Sequence, residues 1–299
     1  MAASKPDVAL TTHGPWRETS AIDPYPPGFE EDDRLRSDFI RELTMRQLKR
    51  DQEPPGGELT EQPPPIPKTL VRFWHDPHNV PLDVRKCLQS WGALRDEGFA
   101  FRMFSDSSAA AYIAERYGPR ECAAFERCRH PAMRSDYLRM CFVLAEGGMY
   151  VDADDVLLDG GWKEVFRDGA LKVQPLAYDL PSGGMVPGPE LRRMDLPKNG
   201  RIFYVNNNPI AAPAGHPVLR RALTRSTDRL LGAEPAPEIQ STTGPGNLTA
   251  ALAAHARESQ VNEVLPDFEL LLDWEGTAEP CWDLGYRNDG RNWRNMDLG

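Results

Sequence analysis

Residues Arg134–Val156 read RSDYLRMCFVLAEGGMYVDADDV, and the order of features in this stretch decides the fold. Leu138, Cys141, Phe142 and Ala145 recur at helical spacing, which predicts a helix with one apolar face over Ser135–Ala145. Gly147-Gly148 stops that helix where a left-handed residue is wanted. Met149-Tyr150-Val151 then reads as a short buried strand, with Asp152-Ala153-Asp154 at its carboxyl end. In an open α/β sheet that edge is where ligands bind. Two carboxylates one residue apart on a rigid strand suit a hard divalent cation that keeps coordination sites for phosphate oxygens. In outline this is a nucleoside-diphosphate site.

The same residues carry a family resemblance. Ser135, Asp136, Arg139, Gly147, Gly148, Tyr150, Asp152 and Asp154 follow the pattern S-D-x-x-R, then G-G-x-Y-x-D-x-D. That string resembles glycosyltransferase family 32, which includes yeast initiating mannosyltransferases and bacterial capsule enzymes; the glucosylating clostridial toxins are more distant relatives. A lone D-x-D says little, whereas the whole string in register is specific. The resemblance implies a GT-A-like α/β fold, Mn²⁺ or Mg²⁺ at Asp152 and Asp154, and a UDP- or GDP-sugar donor. It further implies that Asp136 takes the donor sugar's hydroxyls while Arg139 lies beside the sugar and diphosphate. Lying three apart on one helix, the two side chains can point at the same edge. Their plainer role is a local ion pair.

Toward the N-terminus, Ile66–Trp74 (IPKTLVRFW) resembles the family's opening strand, with Val71 in place of its usual histidine. Trp74 is expected either to stack on the donor's base or to pack as a core aromatic. His75 and His78, in a loop before Pro81, read as solvent-exposed rather than as metal ligands. Pro81–Gly98 is expected to be helical with Val84, Leu88, Trp91 and Leu94 inward, and Ala100–Phe104 to be the second strand. Ser105 then caps a further helix, and Asp106 is either a donor contact or part of that cap. Before this domain, residues 1–65 read as an extension. It comprises an irregular Met1–Phe29, an amphipathic helix over Glu30–Asp51 with Leu35, Phe39, Leu43 and Leu48 on its apolar side, and a Pro-rich linker. That helix is expected to dock on the catalytic domain, with a homodimer through 30–51 as the alternative.

Toward the C-terminus, Ala170–Val173 is a short strand and Ala177–Arg201 a long irregular loop, read as an acceptor-side flap. Phe203–Asn208 is a strand ending in asparagines, of which Asn207 and Asn208 are donor- or acceptor-facing candidates. His216 is expected to cap a helix over Val218–Leu231. Thr243, Gly244, Pro245 and Thr249 match the family's T-G-P-x-x-x-T element, and Gly244 opens a helix whose free amides suit an anion or sugar hydroxyls. At the end of the chain Trp293 aligns with the family's closing tryptophan, Asn292 stands where serine is usual, and a histidine is missing. Asp289 and Asn292 are candidate additional metal ligands. Arg287, Arg291 and Arg294 form a basic patch suited to diphosphate, and the tail is expected to act as a lid.

Bulk properties describe an ordinary soluble globular protein. The chain has 299 residues, 40% hydrophobic and 27% charged, with a net charge of −10, and no basic stripe suits nucleic acid. Its five cysteines form no disulfide framework or zinc motif. No apolar run reaches a membrane span and no signal peptide is evident, so a cytoplasmic location is expected. Only 7 of 35 basic residues are lysine, which hints at a GC-rich bacterial genome. An EF-hand over Asp152–Lys163 fails because Leu157 occupies the required glycine position.

The expectation is therefore an α/β, GT-A-like catalytic domain over 66–299 that transfers a sugar, with retention, to a glycan or small-molecule acceptor. Two alternatives are a haloacid-dehalogenase-type phosphatase built on Asp152-x-Asp154, and a non-catalytic sugar-nucleotide-binding protein.

Overall fold

The computed structural model describes residues 33–51, 64–158, 160–232, 238–261 and 266–292. The readings for 1–29, the linker residues 52–63, Trp293 and Arg294 lie outside the described residues. Asp33–Arg50 forms α1. Thr69–Phe73 is β1, followed by α2 (Leu82–Ser90), a 3-10 turn over Trp91–Arg95 and β2 (Ala100–Phe104). After α3 (Asp106–Arg116) and α4 (Pro119–Glu126) comes α5 (Pro131–Glu146), which feeds β3 (Gly148–Tyr150). Next are β4 (Asp155–Leu157), α6 (Trp162–Val165), β5 (Leu171–Asp179), β6 (Gly184–Met185), α7 (Gly188–Leu191) and β7 (Arg201–Ala212). The remaining elements are α8 (Pro217–Leu231), α9 (Ile239–Thr242), α10 (Pro245–Val261), β8 (Phe268–Leu270) and β9 (Ala278–Pro280).

The main sheet runs β2-β1-β3-β7-β5-β6, with β8 beside β5. Its first three strands are parallel, β7 is antiparallel to both β3 and β5, and β8 is parallel to β5. This is a mixed α/β sheet, as the resemblance implies. β1 lies inside the sheet and not at its edge, because β2 takes the outer position.

α5 is the central helix. The sequence gives it one apolar face, yet every side chain from Ser135 to Leu144 is buried and Ala145 is exposed. A helix covered all round needs apolar residues on all sides, and Met140, Val143 and Leu144 supply the faces that the spacing omits. The break after it needs glycine twice. Gly147 and Gly148 have φ of +71° and +112°, and a Cβ on Gly148 would lie 2.8 Å from the Thr69 carbonyl oxygen. Positive φ and this close approach together exclude side chains, and the chain enters β3 directly under β1.

Helix α1 is part of this body. Phe39, Ile40 and Leu43 join the main hydrophobic cluster. The Gln47 side chain pairs with both backbone groups of Leu270, at 2.6 and 2.7 Å. Ser37 Oγ accepts from the Phe203 amide at 2.9 Å. The side offered as a dimer face is therefore mostly taken within the chain; Leu35 is exposed.

Two further departures shape the site. The expected long loop after Ala177 is partly ordered, since β5 continues to Asp179 and β6 and α7 follow. The second is β4, which pairs with β9 in a separate two-stranded sheet. That pairing brings the C-terminal segment back to the carboxylates.

Candidate functional site

The centre of the site is Arg139, whose side chain is 4% exposed. One guanidinium nitrogen donates to the Asn207 carbonyl at 2.7 Å. The other donates to Ser135 Oγ at 3.0 Å and to Asp152 Oδ1 at 2.8 Å, and lies 3.1 Å from Asp136 Oδ1. The guanidinium also sits 4.1 Å from the centre of the Tyr150 ring, where the negative face of the ring favours a cation. The Tyr150 hydroxyl donates to Asp152 Oδ1 at 3.1 Å. Helix α5 supplies Ser135, Asp136 and Arg139 one turn apart, and β3 delivers Tyr150 and Asp152 to the same point. Burial opposes the charge on Arg139, but Asp152, Tyr150, Asp136 and Asp155 outweigh it and hold the pKa up.

Asp136 is enclosed by donors. Asn207 Nδ2 donates at 2.8 Å and Thr243 Oγ1 at 3.2 Å. Burial still dominates and, with Asp152 nearby, pushes its carboxyl up to about 6 against the pull of Arg139, Asn207 and Thr243. Asn208 faces the other way. Its Oδ1 accepts from the Asp152 amide at 3.1 Å and its Nδ2 donates to Asp155 Oδ2 at 2.9 Å. Asp155 is 1% exposed, so the third acid of the D-x-D-D run is an interior group. Burial, followed by Asp154 and Asp152, raises its pKa well above normal.

Asp154 meets the C-terminal segment. The Tyr286 hydroxyl donates to its Oδ2 at 2.5 Å, and Arg287 forms an ion pair with the same oxygen. Burial and then the neighbouring Asp152 raise the Asp154 pKa, while Arg287 and Tyr286 counter them. Two carboxylates one residue apart suit a divalent cation, and the side-chain contacts of Arg139, Tyr150, Tyr286 and Arg287 fall on Asp152 Oδ1 and Asp154 Oδ2. The pair's chemistry would suit a hard divalent cation such as Mn²⁺ or Mg²⁺. Asp289 is not gathered with them, and no group of three His, Cys, Asp or Glu residues that could hold a metal occurs among the described residues. Asp289 instead pairs with Arg291 at 2.7 Å, and Asn292 Nδ2 donates to the Arg287 carbonyl at 2.7 Å. The extra ligands expected from the tail are thus occupied with holding its own turn.

Other expected donor contacts divide similarly. Trp74 is 7% exposed and packs with Val84, Cys87, Ala153 and Leu284. Its ring meets Tyr286 edge-on at 5.3 Å between centroids, so here it is a packed aromatic under the tail. Asp106 caps nothing itself; it begins α3 behind the Ser105 cap and pairs with Arg134. Gly244 does not present a free amide, because its N–H donates to the Ile239 carbonyl at 2.9 Å. A Cβ there would crowd the Gln240 backbone at 3.2 Å, and from this element Thr243 reaches the site. His216 caps α8 as expected, accepting from the Val218 amide at 3.3 Å. The spacing along the chain did not single out Tyr286, nor the burial of Asp155.

Comparison with known proteins agrees with this geometry. Residues 81–160 match the model of the glycosyltransferase sugar-binding region containing a DXD motif. The initiation-specific alpha-1,6-mannosyltransferase of Saccharomyces cerevisiae is 27% identical over 99 residues, which is 31% of this chain and 21% of that protein. The chain thus matches about a fifth of the length of that relative. A solved structure, PaToxG Glycosyltransferase, aligns over 81% of this chain and 91% of its own, with 17% identity and a TM-score of 0.42. Asp136, Arg139, Asp152 and Asp154 all lie within the segment that matches this DXD-containing model. No helix among the described residues is long and apolar enough to cross a membrane.

Proposed function

We propose that this chain is a metal-dependent glycosyltransferase that moves a sugar from a nucleoside-diphosphate sugar to a glycan or small-molecule hydroxyl, with retention of anomeric configuration. The observation that carries this reading is the buried Arg139 fork between Asp136 and Asp152, backed by the paired carboxylates at the end of β3. Asp152 and Asp154 would hold Mn²⁺ or Mg²⁺, which when bound neutralises charge on the leaving diphosphate. The protein's own part is orientation and charge. Asp136, held by Asn207 and Thr243, positions donor hydroxyls. Arg139 holds Asp152 in place, and Arg287 stands ready to pair with phosphate oxygens. Transfer through an oxocarbenium-like state needs such stabilisation on both sides of the breaking bond. Retention is supported by the family resemblance.

A phosphatase would instead show covalent phosphorylation at Asp152 and activity on phosphate esters without any donor nucleotide. The test is a panel of UDP- and GDP-sugars screened for Mn²⁺-dependent binding and slow hydrolysis. At least one donor should bind, and Asp152→Asn or Asp154→Asn should abolish turnover with the fold intact. Normal Mn²⁺-dependent turnover by Asp154→Asn would overturn the proposal.

A further inference from the structure

Cys87 and Cys281 lie far apart in the chain and come together in space. Helix α2 and the segment after β9 run past each other in opposite directions and are tied at both ends. At one end the Gly285 amide donates to Asp83 Oδ2 at 2.8 Å. At the other the Leu157 amide donates to Ser90 Oγ at 3.0 Å, and Leu157 is paired with Ala278. Cys87 lies between Asp83 and Ser90, and Cys281 lies between Ala278 and Gly285, so the two ties bring the cysteines to one level. Both belong to the cluster of Trp74, Val84, Ala153 and Leu284, Cys87 within its buried part and Cys281 packed against it. Their thiols meet there. Burial first, and then the charge of the Cys281 thiol and a hydrogen bond with it, push the Cys87 thiol up to about 11.

The other cysteines are placed differently. Cys128 and Cys141 are sealed in the interior, and the Cys128 thiol donates to the Ala124 carbonyl at 3.6 Å. Cys122 is half-buried on α4. In the pair, Cys87 is 2% exposed and Cys281 half-buried, so a small oxidant reaches Cys281 and finds a second thiol directly behind it. A thiol that solvent reaches beside a second thiol is the arrangement in which oxidation ends in a disulfide. No third His, Cys, Asp or Glu joins the two in a metal-holding group among the described residues. Cys281 also borders the candidate site. Its amide donates to the Asp154 carbonyl at 2.9 Å, and its own carbonyl accepts from Arg287 Nε at 3.1 Å. Fixing Cys281 therefore fixes the segment that sets Tyr286 and Arg287 on Asp154.

We infer that Cys87 and Cys281 are an oxidation site, which a peroxide closes into a reversible intramolecular disulfide that staples the C-terminal segment to α2 beside Asp154. In the first step the Cys281 sulfur attacks one peroxide oxygen, the O–O bond breaks, and the departing hydroxide takes the thiol proton to leave as water. Cys281 is then a sulfenic acid. In the second step the Cys87 sulfur attacks the Cys281 sulfur, the S–S bond forms and the S–O bond breaks, and the hydroxyl leaves with the Cys87 proton as a second water. Two thiols are oxidised by two electrons and one peroxide is reduced to two waters. A dithiol reductant reverses the bond by thiol–disulfide exchange.

The experiment treats the reduced full chain with a small excess of hydrogen peroxide, caps remaining thiols with N-ethylmaleimide in denaturant, and maps peptides without reductant. The expected product joins the Cys87 peptide to the Cys281 peptide within one chain, while Cys128 and Cys141 are recovered capped. Hydrogen exchange over residues 281–292 should slow by roughly tenfold on oxidation and recover with dithiothreitol. Cys281→Ser should lose both the crosslink and the slowing, whereas Cys122→Ser, at the other half-buried cysteine, should keep both. Three results would overturn the inference: Cys281 halting at a sulfenic or sulfinic acid with Cys87 still a thiol, a crosslink between two chains, or a crosslink that leaves exchange unchanged. None of these readouts uses a donor or measures transfer, so the outcome stands apart from the glycosyl-transfer reading.

Discussion

Asp136 and Arg139 lie 3.1 Å apart, yet they respond to burial in opposite ways. Arg139 keeps its charge because several anions face it. Asp136 is pushed from 3.8 to about 6, since the loss of water outweighs its three partners. A carboxyl whose folded pKa is raised binds its proton more tightly in the folded state. Its contribution to stability is then fully present below about pH 4 and is lost as the pH rises through about 6. A shift of about two units corresponds to at most ~3 kcal/mol. Asp136→Asn does not titrate, so the stability of the wild type relative to this variant should fall between pH 4.5 and pH 7.5. Urea denaturation at the two values measures it, and a gap independent of pH would show that burial does not oppose this ionisation. A second prediction concerns Arg287, the counter-charge of Asp154 when no cation is present. Arg287→Gln should bind Mn²⁺ more tightly without donor, by roughly tenfold or ~1.4 kcal/mol; weaker binding would mean that Arg287 organises the pair instead of competing for it. The string from Ser135 to Asp154 was legible in the sequence because its members lie three or two apart on one helix and one strand. Tyr286 was not, and although Thr243 stood out within its T-G-P element, its meeting with Asp136 did not: the two contacts span 132 and 107 residues, and nothing in local spacing encodes them.

Among the elements, α1 docks as expected and reaches deeper into the body than its composition suggests. Its mean hydropathy is low and a Pro-rich linker follows it, so the sequence reads as an extension whose helix docks on a domain that starts at Ile66. In the structure its apolar residues Phe39, Ile40 and Leu43 pack into the main core, and Arg41 donates to the carbonyls of Arg193, Met194 and Leu196. Polar side chains that look solvated in sequence are here the partners of backbone groups on β7, β8 and the segment after α7. Ile40, fully buried, is the sharpest probe. Ile40→Ala should cost about 2–5 kcal/mol of unfolding free energy, and a chain started near Pro63 should be unstable or insoluble instead of folding independently. Wild-type stability in either case would return α1 to the status of an appendage. The strands β1, β2 and β3 were legible because each is a short apolar run bounded by turn residues. β9 was not, because Ala278-Glu279-Pro280 has no strand pattern and is defined only by its partner β4. The extended β5 was missed for a related reason: Pro175 and Tyr178-Asp179 resemble loop chemistry until β7 lies beside them.

At the scale of the whole molecule, the chain closes on itself. The parallel strands deliver Asp152 and Asp154 from the middle of the sequence, and the last described residues return across β4 to cover them. The return has two layers of different strength. Ala278 and Leu284 are buried, and β9 supplies the hydrogen-bonding partner of β4. Beyond Leu284 the contacts are mostly polar: Tyr286 and Arg287 on Asp154, the Gly285 amide on Asp83 at 2.8 Å, and the Gly290 carbonyl on His130 at 3.1 Å. Apolar burial holds an element in place, whereas exposed polar contacts exchange readily with water. Deleting residues 287–299 should therefore leave the thermal midpoint within a few degrees of the wild type, because the buried layer remains. On the proposed function, the same deletion should abolish transfer, since it removes the Arg287 contact with Asp154 and opens the site to water. Deleting from Ala278 onward should unfold the region around β4 as well, because Trp91 and Trp274, with centroids 6.3 Å apart, lose the cover that Ala278 gives them. Thermal denaturation and donor hydrolysis of the two truncations separate the layers. If the shorter deletion destabilised the protein as much as the longer one, the terminal turn would be part of the core, and its contact with Asp154 would be structural and not a feature of the reaction cycle.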